Sequence, residues 1–124
     1  TGYPYPDGEA AVWRVEDLNG DGDALDQGES EPFVTGLTAV TDITFGSDGT
    51  LYIAEFSSDT EKVLEGGDFS ANAKSMPGRV LIWDGSETTV FVEDVVSPTS
   101  LLTTDSTLYI TEEFAGKVTK HPLN

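Results

Sequence analysis

The chain contains no cysteine and only one histidine, His121, among its 124 residues. Without cysteine, neither a disulfide nor a thiolate metal site can form. A single imidazole leaves zinc sites built on clustered histidines, and Ser-His-Asp triads, poorly supported. A Gly-rich phosphate loop and a nucleophile elbow are also missing from the sequence. We therefore assign no catalytic residue from the sequence.

Basic residues are scarce. Six Lys and Arg stand against 23 Asp and Glu, which gives a net charge of −17, and no basic residue lies between Arg14 and Lys62. Such a field repels nucleic acid and anionic lipid and attracts divalent cations. A surface adapted to salt or to an extracellular setting explains the charge equally well. No apolar run approaches the roughly 20 residues of a membrane helix, so we expect neither nucleic-acid binding nor membrane insertion.

The length is that of one ordinary domain. An apolar content of 37%, with 10% aromatic residues, argues against disorder. The chain begins with Thr1 rather than Met, from which we expect a processed or cut product.

A long segment occurs twice. Residues 33–56 reappear with small gaps as residues 91–114. Both copies contain the letters TLYI and, two residues later, a glutamate. Self-similarity on this scale predicts a repeat fold. Short β-rich segments bounded by Gly, Asp, Ser or Pro predict nine strands and an all-β class, at 11–15, 32–35, 41–45, 50–56, 79–83, 89–93, 99–103, 107–111 and 117–120.

The repeat spacing indicates a four-stranded unit. Val12, Val80 and Val118 open equivalent strands, and the shorter of their two spacings is 38 residues. A unit near 40 residues with four strands is the size of a β-propeller blade. The pattern PTxLxxxDxTLYIxE…GxVxxxxG, read at Pro98–Glu112 and Gly78–Gly85, resembles NHL and gluconolactonase-like propellers and the ScyD/ScyE-type secreted bacterial propellers.

This resemblance implies a propeller portion of about two blades of four-stranded antiparallel sheet. Its segments would be a linker or inter-blade loop at 1–10, a partial blade at 11–38, a complete blade at 39–96 and a partial blade at 97–124. An open blade leaves a bare edge and an exposed face, so the remaining blades are expected from the same protein or from identical copies. The alternative is a stand-alone sandwich of nine strands.

The most specific local motif is DLNGDGDALDQGE at residues 17–29. Oxygen ligands at the first, third and fifth positions with Gly at the sixth match an EF-hand-type calcium loop. Gly28 stands at the twelfth position, where a standard loop has its bidentate acid, and Glu29 follows one place later. The predicted calcium ligands are Asp17, Asn19, Asp21, Asp23, Asp26 and Glu29, with Asp23 offering its backbone carbonyl. An acidic hairpin turn without metal is the alternative.

The resemblance also suggests a second site, at the mouth of a central channel. Asp42 and Ser100 occupy the start of the inner strands, and Glu55 and Glu112 end the second strands near the same face. Acids around a pore can bind a metal that activates water; solvated strand-end carboxylates are the alternative. The insertion 57–77 would lie on that face, either as a recognition loop or as a surface excursion.

We therefore expect a calcium-binding module of a secreted, periplasmic or cell-surface protein that acts in binding or structural assembly. The alternative function is a metal-dependent lactone or ester hydrolase of the gluconolactonase type.

Overall fold

A computed structural model describes residues 7–123. Residues 1–6, most of the predicted linker 1–10, lie outside the described residues, as does Asn124. The described chain is mostly strand, which confirms the all-β class. Its strands are β1 (Ala10–Val15), β2 (Ser30–Leu37), β3 (Val40–Phe45), β4 (Leu51–Glu55), β5 (Gly78–Trp83), β6 (Thr88–Val95), β7 (Pro98–Thr103), β8 (Thr107–Glu112) and β9 (Lys117–Pro122).

The strands form three antiparallel sheets in chain order. β1 and β2 make the first sheet, β3 to β6 the central sheet and β7 to β9 the third sheet. Within each sheet, every strand pairs with its neighbour in sequence, and the connections range from short turns to the long segments 16–29 and 56–77. The result is three sheets rather than the two of a sandwich, and the described residues do not close into a ring.

The internal repeat is visible in the backbone. A β-bulge follows Val40 in β3, and another follows Pro98 at the equivalent point of β7. The preceding residues, Ala39 and Ser97, both have positive φ, at 44° and 45°. Positive φ is uncommon for residues other than glycine, so its recurrence at equivalent places marks a shared local geometry.

The central sheet is buried on both faces. Leu51 and Ile53 of β4 belong to a hydrophobic cluster with the first sheet. Tyr52 and Ala54, which point the opposite way along the same strand, belong to a cluster with the third sheet. Every residue of β4 is buried. The three sheets therefore stack in sequence, and β4 lies at the middle of the core.

The insertion between β4 and β5 is partly helical. Its first helix is α1, which spans Thr60–Leu64. The sequence did not predict the second helix, α2 (Phe69–Ser75), which follows a 3-10 turn at Glu65–Gly67. The ring of Phe69 stacks on Phe56 at 5.7 Å between centroids and meets Phe114 edge-on at 5.4 Å. These contacts attach α2 to the ends of two sheets.

None of the helices within residues 7–123 has the length and apolar character required to cross a membrane.

Candidate metal centre

The acidic loop joins β1 to β2, and its first aspartate shapes the turn. Asp17 accepts hydrogen bonds from the backbone N–H groups of Gly20 at 2.7 Å and Gly22 at 2.9 Å. The Gly22 N–H is the main cause that lowers the pKa of Asp17. Gly20 and Gly22 both have positive φ, at 76° and 97°, a conformation that glycine adopts without steric cost. The glycines therefore allow the backbone to wrap around this carboxylate.

Glu29 closes the loop from the other end. Its carboxylate accepts from the backbone N–H of Leu18 at 2.9 Å and of Asp26 at 3.0 Å. The backbone N–H of Glu16 donates to the Glu29 carbonyl at 2.8 Å. The residue is only 3% exposed. In this geometry both carboxylate oxygens of Glu29 are occupied by the loop backbone.

Between these two anchors, the side chains of Asn19, Asp21 and Asp23 each accept a hydrogen bond from the backbone N–H two residues ahead. Asn19 Oδ1 accepts from Asp21 N at 3.0 Å, and Asp21 Oδ1 accepts from Asp23 N at 3.1 Å. The Asn19 amide also donates to Asp26 Oδ2 at 2.7 Å, across the loop. Short side chains that hydrogen-bond to backbone two residues ahead stabilise such turns.

This folding brings three carboxylates together at the solvent face. Asp21, Asp23 and Asp26 each place an oxygen within 4.8 Å of the others, and all three are exposed. The cluster could hold a metal ion. Of the six predicted ligands, these three converge, whereas Asp17, Asn19 and Glu29 hold the loop backbone. Within residues 7–123 this is the one group of three acidic or histidine side chains so placed.

The donor set fits a hard cation. Carboxylate oxygens are the ligands that calcium and magnesium prefer, and calcium accepts irregular cages of six to eight oxygens completed by water. No lysine or arginine lies between Arg14 and Lys62, and Arg14 itself pairs with Glu16 and Glu31 at the base of the loop. Mutual repulsion among the three carboxylates is therefore not offset by a basic residue of the loop.

The acids of the predicted channel mouth lie elsewhere, and each is bonded within the fold. Glu55 is 1% exposed and accepts from Thr38 N at 2.5 Å and from Arg79 Nε at 2.6 Å. Glu112, its counterpart in the third sheet, is 4% exposed and accepts from Val96 N at 2.9 Å. Lys117 lies 3.9 Å from its carboxylate.

The two basic partners, Arg79 and Lys117, were missed by sequence reasoning. Each follows a glycine at the start of an equivalent strand, in the letters GRV and GKV, and each faces its glutamate in the strand register. This shared position after a glycine was the sequence signal that could have identified both basic partners.

Asp42 and Ser100 lie on the inner strands. Asp42 Oδ2 accepts from Leu101 N at 2.7 Å, which ties β3 to β7. Ser100 is exposed in β7. Asp42, Glu55 and Glu112 do not form a three-acid group of metal-binding geometry in the described part of the chain. The described residues therefore do not assemble the second metal site that the resemblance to gluconolactonase-like enzymes suggests.

Comparison of the chain with protein-family models, with curated proteins and with solved structures found no match. The resemblance to NHL and gluconolactonase-like propellers stays a prediction.

Proposed function

We propose that this chain is a calcium-binding portion of a β-propeller in a secreted, periplasmic or cell-surface protein, where it acts in binding or structural assembly. The observation that carries the proposal is the convergence of Asp21, Asp23 and Asp26 in the turn that joins β1 to β2. A cation there would link the two strands of one hairpin.

Calcium is favoured over other ions by the chemistry of the loop. Its side chains offer oxygen but neither sulfur nor imidazole, and the exposed position leaves room for several water ligands. Magnesium requires tighter octahedral geometry. Calcium-binding modules of extracellular proteins have dissociation constants in the 10⁻⁴–10⁻³ M range. An exposed cluster of three carboxylates is consistent with such weak binding and with a location outside the cytosol.

The propeller part of the proposal is supported by the bare faces at the two ends of the stack. Trp13 on the outer face of the first sheet is 56% exposed, and Val118 on the outer face of the third sheet is 64% exposed. Their equivalents in the central sheet, Leu81 and Val80, are 4% and 0% exposed because other sheets cover them. By the repeat, further sheets would cover Trp13 and Val118 in the same way.

A thermal melt in millimolar calcium and in EDTA tests the metal site. At about 10 mM free calcium, which is 100-fold above a dissociation constant of 10⁻⁴ M, binding stabilises the folded state by about 2.7 kcal/mol. An unchanged melting temperature would contradict calcium binding. A second metal bound directly by Asp42 or Glu55 would instead favour the hydrolase.

Native mass measurement of the chain, with and without chelator, tests assembly. The propeller hypothesis expects that the isolated chain is not a stable monomer. A monodisperse 13.2 kDa species with one sharp, cooperative melt would contradict that expectation.

A further inference from the structure

One edge of the first sheet faces a groove. Within residues 7–123, β1 pairs with β2 alone. The edge that β1 leaves free is the one through which the equivalent strands β5 and β9 pair with β4 and β8. Beyond the open edge of β1 lies a cavity of about 340 Å³, which separates β1 from β3. It is lined by Ala11, Val12, Trp13 and the first half of β3, Val40–Ile43.

Apolar side chains are exposed around this groove. Trp13 and Ile43, which line the groove, are 56% and 38% exposed, and Phe45, two residues beyond Ile43 on β3, is 59% exposed. Leu101, the equivalent of Ile43 in the third sheet, is only 7% exposed because it packs in the cluster between the central and third sheets. A scattered exposed residue needs no explanation, but three beside one free strand edge mark an interaction site.

We infer that this groove binds a β-hairpin of the chain's own repeat pattern, which adds to the free edge of β1 and completes the first sheet. The inference rests on the proposed propeller and specifies one partner for it. Strand addition supplies affinity through main-chain hydrogen bonds and specificity through alternate side chains. The occupant is a hairpin, because two strands, β3–β4 and β7–β8, fill the corresponding space in the other sheets.

The repeat specifies the register of the added hairpin. In the central sheet Ile53 of β4 lies opposite Leu81, the equivalent of Trp13. The residue of the added strand that faces Trp13 therefore corresponds to Ile53. Ala10 takes the place of Gly78, where a Cβ would lie 1.9 Å from the Glu55 carbonyl oxygen. That carbonyl belongs to the residue opposite Arg79, the equivalent of Ala11, so the added strand ends one residue earlier, at the equivalent of Ala54 opposite Val12.

The inner strand of the hairpin has its own anchoring points. Between β3 and β7, Thr41 Oγ1 donates to the Pro98 carbonyl at 2.6 Å, and Asp42 Oδ2 accepts from Leu101 N at 2.7 Å. The equivalents of Pro98 and Leu101 in β3 are Val40 and Ile43. An inner strand with Thr-Asp at its start can bond to the Val40 carbonyl through its threonine. Its aspartate can accept from the Ile43 N–H in place of Asp42 Oδ1, which accepts from that N–H at 2.9 Å. The probe is therefore a synthetic peptide of residues 40–54, VTDITFGSDGTLYIA, which stops before the carbonyl that Ala10 would meet.

The test is hydrogen exchange of the full chain with this peptide, in calcium. Peptide binding should slow exchange of the amides of residues 12–15. The same peptide with proline at the Ile53 position should give no protection, since proline cannot donate to the ladder. Protection confined to β6 or β9, which are edge strands of the other sheets, would overturn the inference, as would no protection at millimolar peptide.

Matched variants locate the binding surface. Ile43→Lys should weaken peptide binding about tenfold or more, because it loses the burial of one apolar side chain. Leu102→Lys alters an exposed residue of the equivalent strand away from the groove and should change affinity less than about twofold. Equal loss in both variants would show non-specific adhesion and overturn the inference.

A calcium titration of the same sample separates the two proposals. Calcium binding without hairpin addition would reject the hairpin and leave the metal site standing. Hairpin addition without calcium binding would reject the metal site alone.

Discussion

Glu55 and Arg79 lie opposite each other on β4 and β5, and Arg79 Nε donates to Glu55 Oε1 at 2.6 Å. The other oxygen of Glu55 accepts from the backbone N–H of Thr38, in the turn that enters the central sheet. One buried carboxylate thus connects a neighbouring strand to the crossing between two sheets. Glu112 repeats the arrangement with Val96 and Lys117, so the role belongs to the repeat unit.

Substitution of Glu55 by Ala should destabilise the fold by about 2 kcal/mol, because it leaves a turn N–H unsatisfied and removes the partner of Arg79. This loss of stability is smaller than that for a fully buried ion pair, since the Arg79 side chain is 44% exposed and remains hydrated. Urea unfolding measures the change. Glu93→Ala, at an exposed position of β6, is the control and should stay within about 0.5 kcal/mol. Equal values for both variants would show that the Glu55 contacts contribute nothing.

Glu112→Ala should cost less than Glu55→Ala in the same assay. Its basic partner Lys117 lies 3.9 Å away and has a side chain 57% exposed, a geometry that contributes little. The lost bond to Val96 N then dominates the effect. A larger loss at Glu112 than at Glu55 would contradict this ranking.

Asp21→Ala should abolish the calcium-dependent rise in melting temperature, because it removes one of the three converging carboxylates. Asp42→Ala should leave that rise intact, since Asp42 bonds to Leu101 N far from the loop in sequence. Differential scanning calorimetry in calcium and in EDTA gives both numbers. If the two variants lose the rise equally, the site is wrongly assigned.

Glu29→Gln separates loop closure from metal binding. Glu29 accepts two backbone N–H bonds and is nearly buried, so the neutral amide should destabilise the chain even in EDTA. A loss of stability seen only in calcium would show that Glu29 is instead a direct ligand.

Gly78→Ala should be strongly destabilising, by about 3 kcal/mol, because its Cβ would lie 1.9 Å from the Glu55 carbonyl oxygen, and backbone atoms must then move. Gly116→Ala is the matched control. It has a φ of 65° and open space around the added Cβ, so only a left-handed conformation opposes it, at about 1 kcal/mol. Urea midpoints of the two variants measure the difference, and a Gly78→Ala loss no greater than that of Gly116→Ala would contradict the steric argument.

Sequence patterns predicted the strands well because the core follows period 2 in each repeat. In the letters LYIAE of β4 and LYITE of β8, Leu and Ile lie two residues apart and so share one face of the strand. The structure buries all four of these residues, Leu51, Ile53, Leu108 and Ile110. Helix α2 could not be read in the same way, since FSANAKS carries no apolar stripe. Its stability comes from the Asp68 cap and from the packing of Phe69 on rings distant in sequence.

The sequence predicted the acidic loop and its candidate ligands. It did not predict which of these side chains bind the loop backbone and which converge at the solvent face. Spacing identifies oxygens that can approach an ion, yet it does not show which carboxylates the backbone already occupies. Asp17 and Glu29 had the right chemistry, and both are engaged by N–H groups of the loop. Likewise, Glu55 ends a strand as expected, but its bond to Thr38 depends on how the chain crosses between sheets.

Acid should destabilise the protein through aspartates that cap turns. The pKa values of Asp48, Asp59 and Asp84 are lowered, chiefly by the backbone N–H groups of Thr50, Lys62 and Glu87, and that of Asp17 is lowered as described above. A folded-state pKa below the unfolded value means that the unfolded state binds more protons in this range. The stability these groups provide is therefore present above about pH 4 and is lost as pH falls through the folded-state values.

Asp84→Asn tests one of these groups. Asp84 Oδ1 accepts from Ser86 N, Ser86 Oγ and Glu87 N, and an asparagine oxygen can take the same position without titrating. Urea midpoints at pH 7 and pH 3 should therefore differ less in the variant than in the unmodified chain. Asp105→Asn, at an exposed carboxylate without a hydrogen-bond partner in the described part of the chain, should keep the full difference. Should Asp84→Asn retain the full difference too, turn capping would not be the source of the acid sensitivity.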